Sequence, residues 1–369
     1  MVPAAPCDRC SGCASRDRTT RASTSSPTSA WRTISRPSGA PSSSRAPIRA
    51  APCSFTDDLW RLDYQLRDGE DEAEAVREET IRARIAAILG DIGHAGPWEL
   101  EWWSIYTANT LLLDDYRAGR VFFIGDSAHI VPIFGVRGLN NGLADAFNIG
   151  WKLAYVLAGK AGPGLLGSYT PERRGATLDV FANAGKSTRF MTPPSRGWRL
   201  AREAALSLAI RHAFTRPLAN PRQMQAYTYA ESPLTPFPAR DQEFAGGPRS
   251  GSLAPDVRLQ DGTHFRSRIG DELTILLFAD AASLPRHKAQ VRASPGAAEL
   301  AVVTVVLGPD CADAAAILDT DHRIARAYDA LDGTVYLLRP DHHIAARWRQ
   351  LDRCELEAAI AACLGKETP

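Results

Sequence analysis

The sequence predicts an α/β protein with α+β character in part, and three observations carry that expectation. Val121–Ile124 is a short apolar run that stops at Gly125-Asp126, crosses a glycine-studded loop and enters an amphipathic helical pattern from about Gly138 to Leu157. Leu273–Phe278, Ala301–Leu307 and Val335–Leu338 are further apolar runs of strand length. A closing helical pattern, Glu355–Leu364, follows them. Strands that alternate with helices point to a layered α/β or α+β core.

Residues 1–54 read as a disordered or aberrant low-complexity tail. Residues 1–52 hold no Leu, Phe, Tyr, Glu or Lys and are dominated by Ser, Arg, Ala, Pro and Thr. Such a stretch has little apolar surface to set against the entropy of ordering. Its Arg- and Ser-rich, acid-poor composition also fits a transit peptide, although no amphipathic period supports one. The abrupt change near Phe55 fits an out-of-frame coding stretch joined to a true one. Cys7, Cys10 and Cys13 form C-x-x-C-x-x-C here, with no fourth ligand evident, so no metal site is expected.

Residues 55–110 read as the remnant of a substrate-binding sheet. Trp60, Leu62, Tyr64 and Leu66 alternate with polar residues as in a half-buried strand. Ile81, Ile85, Ile88 and Leu89 recur at helical spacing, and Leu100–Tyr106 has strand composition. Trp102 and Trp103 read as packing on that sheet, or as lining a substrate pocket. Residues 111–232 carry the Gly125-Asp126 motif and two helices, with Leu139, Leu143, Phe147, Leu153 and Leu157 expected to form the buried face of the first. The second is expected over about Pro171–Thr188. Residues 233–250 are a Pro- and Gly-rich linker, and 251–369 form a module of thioredoxin size. Its Cys311, Cys354 and Cys363 are isolated, which speaks against dithiol chemistry, and His342-His343 reads as an exposed turn.

Composition sets outer limits. The chain has 369 residues, 44% hydrophobic and 23% charged, with net charge +1, so nothing global points to nucleic acid or an anionic membrane. No apolar run approaches the roughly 18 residues a membrane span needs. Seven scattered cysteines fit a reduced, cytoplasmic setting rather than a disulfide scaffold.

The 125–140 stretch bears the chemistry. A carboxylate at the end of a strand accepts hydrogen bonds from ligand hydroxyls. Gly135 and Gly138 let backbone approach a ligand closely, and a helix starting near Leu139 presents free N–H groups and the positive end of its dipole. That arrangement favours negative charge on a bound group. His129 is read as a hydrogen-bonding prop or a base, Arg137 as a steering cation or a solvated charge, Asn140 as a loop support and Trp151 as core packing.

Gly125-Asp126-Ser127-Ala128-His129, Pro132, Gly135, Gly138-Leu139-Asn140, Gly142, Asp145-Ala146, Asn148 and Trp151-Lys152-Leu153 resemble the second FAD-binding motif of the single-component flavin aromatic hydroxylases, the relatives of p-hydroxybenzoate hydroxylase. Leu165-Leu166, Ser168-Tyr169, Glu172-Arg173-Arg174 and Arg339-Pro340-Asp341 continue the pattern, which is similar to the 3-(3-hydroxyphenyl)propionate hydroxylase branch. The resemblance implies a partial hydroxylase-like FAD domain followed by a thioredoxin-like domain. It implies FAD held by Gly125, Asp126, Pro132, Gly135, Gly138, Leu139 and Asn140, with Asp126 on the ribityl chain and the Leu139 and Asn140 backbone at the pyrimidine ring. NAD(P)H and O₂ would be co-substrates in hydroxylating a phenol, and a homodimer is compatible with the family. No catalytic base is singled out. The family's N-terminal GxGxxG unit and its DGxxSxxR motif are expected to be absent from this chain, which therefore reads as N-terminally truncated. That leaves two classes open: an impaired monooxygenase, or a non-catalytic interaction protein built on the thioredoxin-like domain.

Overall fold

Backbone pairing organises the first part of the chain. The computed structural model describes residues 28–34, 50–56, 59–66, 69–107, 110–131, 137–191, 193–219 and 226–366. Strands β1 (Thr28–Ile34), β2 (Ala50–Thr56) and β3 (Leu59–Gln65) precede two helices, α1 (Glu72–Ala75) and α2 (Glu78–Asp91), and strand β4 (Trp103–Thr107) follows. The sheet order is β2-β3-β1-β4, antiparallel throughout. β1 and most of β2 fall within the reach whose composition reads as a tail. Composition misses them because ladder hydrogen bonds come from the main chain, which every non-proline residue carries. The Cys7, Cys10 and Cys13 motif lies outside the described residues.

The alternation of β3 holds: Leu62, Tyr64 and Leu66 are buried. Helix α2 lays Ile81, Ile85 and Leu89 against Leu62, with Trp98, Leu100 and Trp103 closing the cluster. Trp103 also donates from its indole Nε1 to the Val76 carbonyl at 3.0 Å, so it serves the packing expected of it, whereas Trp102 is exposed.

Next come four two-residue strands: β5 (Leu111–Leu112), β6 (Arg117–Ala118), β7 (Val121–Phe122) and β8 (His129–Ile130). Val121–Ile124 was expected to be a buried strand, and it is not. β7 pairs antiparallel with β6 across Gly119-Arg120, and Val121 and Ile124 are exposed. Its apolar character alone could not reveal that no described strand flanks it on its other side.

Helix α3 (Gly138–Leu157) has the expected bounds, but the expected buried face is wrong. Leu139, Leu143 and Phe147 are 73, 59 and 53% exposed, and Leu157 is exposed too. The face turned inward is polar: Asn141, Asp145, Asn148 and Lys152, with Ile149 and Trp151 beside them. It meets helix α4 (Tyr169–Met191), which presents Glu172, Arg173 and Thr177. Helices α5 (Arg196–Arg211) and α6 (Arg216–Ala219) follow.

The last part is a three-layer α/β module. It comprises β9 (Thr274–Ala279), α7 (Leu284–Arg292), β10 (Ala301–Val306), β11 (Ile317–Leu318), α8 (Arg323–Tyr328), β12 (Val335–Leu338), β13 (Ile344–Trp348) and α9 (Arg353–Cys363). The sheet order is β11-β10-β9-β12-β13; the first three are parallel, and β12 and β13 run antiparallel. Every residue of β9 is buried, as a central strand covered on both faces requires. Ile275, Leu277 and Ala279 face α7 and α9, while Leu276 and Phe278 face α8, Phe244 and Phe265.

The 233–250 segment is not a free tether. Leu234 and Phe244 are buried, and Asp241 accepts from Arg347 Nε at 2.6 Å. His343 is buried rather than exposed, with His342 in the left-handed turn before it (φ 57°). The helical layer and the module also join where the Gly162 N–H donates to the Leu364 carbonyl at 2.7 Å.

Candidate functional site

Gly125–Ser127 forms a single 3-10 turn whose backbone closes on itself. Ser127 Oγ donates to the Ile124 carbonyl at 2.7 Å and accepts from the Ile124 N–H at 3.1 Å. Gly125 has φ +55°, a conformation that disfavours a side chain. The turn rests on α3 at Gly142, where an added Cβ would stand 3.1 Å from the Gly125 Cα. Two glycines thus let the turn and the first turns of α3 touch backbone to backbone.

This contact places Asp126 beside the start of α3. Asp126 is exposed and makes no hydrogen bond or ion pair among the described residues. At the helix start the N-cap residue Arg137 makes no side-chain cap bond. The N–H groups of Gly138, Leu139 and Asn140 belong to the first turn, which has no intrahelical acceptors. An exposed carboxylate beside the first turn of a helix is the kind of acceptor and donor set that suits a hydroxylated, electron-rich ligand. Pro132 and Gly135 lie outside the described residues. Arg137 is almost fully buried, so it is not a solvated loop charge.

Beneath the turn lies a buried polar layer. Asp145 Oδ2 accepts from the Gly125 N–H at 3.0 Å and sits 2.7 Å from His129 Nε2; its Oδ1 accepts from Arg173 Nε at 2.7 Å. Burial alone would push this carboxyl up, but His129 and Arg173 outweigh it and hold it below the ordinary carboxylate value. His129 is fully buried with its ring bonded to Asp145, the geometry of a prop. Asn141 joins the layer through Thr177 and Arg173.

A second buried cluster adjoins the first. Glu172 accepts from Lys152 Nζ (2.7 Å), Arg339 Nη1 (2.5 Å), Arg339 Nη2 (3.0 Å), Asn148 Nδ2 (2.8 Å) and Ser232 Oγ (2.5 Å). Arg339 also pairs with Asp341, which accepts from the Trp151 indole at 3.0 Å. Trp151 is therefore core packing with a polar end. Burial opposes charge on Glu172, but Arg339 and Lys152 prevail and pull its carboxyl down to about 2. Burial dominates at Lys152 and brings its ammonium down to about 8, with Glu172 opposing.

The sequence pointed to the turn and the helix start, but missed that Asp145, Arg173 and Tyr229 brace them. The available signal was a set of charged and amide residues, Asn141, Asp145, Asn148 and Lys152, at i, i+4, i+7 and i+11 of one helix. That spacing marks a single face. A GxGxxG pattern does occur once, as Gly162-Pro163-Gly164-Leu165-Leu166-Gly167. It lies between α3 and α4 in a 3-10 segment, Pro163–Ser168, and Gly162 and Gly164 abut Gly365. Without a preceding strand it is a packing contact and not a dinucleotide loop.

Residues 32–184 match the family described as FAD binding domain. A 3-(3-hydroxy-phenyl)propionate/3-hydroxycinnamic acid hydroxylase of Klebsiella pneumoniae subsp. pneumoniae is 38% identical over 150 residues, covering 40% of this chain and 26% of the relative. A 4-methyl-5-nitrocatechol 5-monooxygenase of Burkholderia sp is 33% identical over 301 residues, covering 78% of this chain and 49% of the relative. Among solved structures, the flavin-dependent monooxygenase PieE superposes with a TM-score of 0.69 at 22% identity, covering 92% of this chain and 66% of that one. The fold is thus similar to that of a flavin-dependent monooxygenase. Over the aligned residues the chain is similar to the FAD binding domain family and to these two monooxygenases. It spans half or less of the length of the two curated relatives described.

The α3 glycines give a comparison that checks the turn–helix contact. Gly150 lies on an exposed part of the same helix with nothing near its missing Cβ. Gly150→Ala is expected to stabilise the protein by about 0.5–1 kcal/mol through helix propensity. Gly142→Ala carries the same propensity gain but presses on Gly125, so no net gain is expected. Urea unfolding of the two variants decides it; equal stabilisation would mean that the glycine pair is not a tight contact.

Proposed function

We propose that this chain holds the flavin-ring side of an FAD site and serves an NAD(P)H-dependent monooxygenase that hydroxylates a phenolic aromatic compound with O₂. The observation that carries this reading is the exposed Asp126 carboxylate set beside the first turns of α3 by the Gly125–Gly142 contact. Asp126 would accept from ligand hydroxyls, and the Gly138–Asn140 N–H groups would meet a carbonyl or anionic edge. Bound FAD would supply the redox and oxygen chemistry; the protein's part is to orient the ring, offer positive potential at its electron-rich edge and keep water out.

A thioredoxin-like reading of the C-terminal module is supported by its four longer strands, which, with the two-residue edge strand β11 set aside, sit in the chain order second-first-third-fourth from β10 to β13, the last two antiparallel to each other. Dithiol chemistry is not its part: burial pushes the Cys363 thiol up to about 12, which suppresses the reactive thiolate.

Titration of the full chain with FAD, followed by flavin fluorescence, tests the reading. Saturable binding is expected, and Asp126→Ala should weaken it by about tenfold, the cost of one charge-assisted hydrogen bond. A wild-type chain that takes up no FAD would overturn the reading; binding indifferent to Asp126→Ala would remove Asp126 from it.

A further inference from the structure

One carboxylate holds both ends of the candidate ligand turn. Asp145 Oδ2 takes the Gly125 N–H at the entry and His129 Nε2 at the exit. Its other oxygen is fixed by Arg173 Nε, and Arg173 Nη2 reaches the Asn141 carbonyl (3.2 Å) and Oδ1 (2.6 Å) in the first turn of α3. The guanidinium therefore sets the turn and the helix start relative to each other. Its remaining nitrogen, Nη1, donates to the Tyr229 hydroxyl at 2.9 Å.

Tyr229 belongs mechanically to the C-terminal module. Its ring lies against His343, with centroids 4.4 Å apart, and the Arg339 guanidinium stands 5.1 Å from its centre. Its N–H donates to the Gly251 carbonyl at 2.8 Å, and the Gly251 N–H donates to the Ile344 carbonyl of β13 at 2.7 Å. Gly251 has φ +82°, and a Cβ there would stand 2.6 Å from the Tyr229 carbonyl, so the grip leaves no slack. The hydroxyl is also 3.5 Å from Asn148 Nδ2, which bonds Glu172. Tyr229, Arg173 and Asp145 are buried, where a hydrogen bond is not exchanged for water and its geometry is strongly held, and Gly125 is half-buried.

We propose that Tyr229 is a positioning residue: through Arg173 and Asp145 it sets the Gly125–Ser127 turn, so that the shape of the ligand site depends on the docked C-terminal module. The role of the turn as a ligand site rests on the function proposed above; the mechanical link does not. Coupling of this kind needs a continuous set of contacts with a defined geometry, and four residues, Tyr229, Arg173, Asp145 and Gly125, complete it.

The test is local amide hydrogen exchange on the ligand-free full chain. Tyr229→Phe keeps the ring on His343 and removes only the hydroxyl. Exchange in residues 123–131 is expected to rise about fivefold, the equivalent of one ordinary hydrogen bond, while exchange in β9 to β13 holds steady. Asp145→Asn, of the same shape, should give the same local signature and decides the matter if the first variant does not fold. Tyr227→Phe, which removes a hydroxyl outside the path, should change neither region. Unchanged exchange in 123–131, or a rise spread evenly over the molecule as a purely structural role would give, overturns the proposal. FAD affinity is the second readout, expected to fall in Tyr229→Phe and to hold in Tyr227→Phe. If the wild-type chain binds no FAD, the flavin reading falls while the exchange result still decides the link.

Discussion

Glu172→Ala is expected to cost about 3–5 kcal/mol of stability, the range for removing one partner of a buried ion pair. The carboxylate is fully buried and accepts from Lys152, Arg339, Asn148 and Ser232. Without it, Arg339 keeps Asp341, but Lys152 keeps no carboxylate partner within the cluster. A lone buried ammonium sheds its proton rather than remain charged. The variant should therefore be least stable below neutral pH and recover part of its stability as pH rises. Equilibrium unfolding in urea at pH 6 and pH 9 reads both effects. Glu172→Gln, which keeps the volume and one acceptor oxygen, should lose less. A loss under 1 kcal/mol for Glu172→Ala would mean that the cluster contributes little beyond its desolvation cost.

That cluster also explains what the sequence could and could not disclose. The bounds of α3, the buried alternation of β3 and the apolar strands of the last sheet were legible, because each follows from local periodicity or composition. The inward face of α3 was not. Periodicity finds where the apolar residues lie on a helix, and burial normally follows; here the polar stripe is buried because α4 offers it Glu172, Arg173 and Thr177. No local rule predicts a partner twenty or more residues away. Arg339 and Asp341 show the same point at longer range: they stood in the sequence as part of a family pattern, yet their contacts are with Glu172 and Trp151. In the 125–140 stretch, the turn at Gly125-Asp126 and the helix from Gly138 were legible because they are local in sequence. It missed Tyr229, which reaches the turn only through two other side chains.

Acid should unfold this protein through the same residues. The sign follows from Glu172, whose folded value of about 2 lies below its ordinary 4.5. Between those values the unfolded chain binds the proton and the folded chain does not, so stability rises with pH across the window and is lost as pH falls from about 4.5 toward 2. The expected loss from this group is about 3 kcal/mol. Asp145 and Asp341 are also held below their ordinary values, the first against burial by His129 and Arg173, the second against burial by Arg339 and His343, and both add to the loss in the same direction. Lys152 does not offset them, since its shift acts between about 8 and its ordinary 10.5. Urea midpoints measured from pH 6 down to pH 2.5 should fall steeply below pH 4.5 in the wild type. In Glu172→Gln the slope should flatten, because one of the groups that binds a proton on unfolding has been removed. An acid limb of the same steepness in both proteins would show that Glu172 is protonated equally in the folded and unfolded chains, and the ion cluster described here would then not exist in solution.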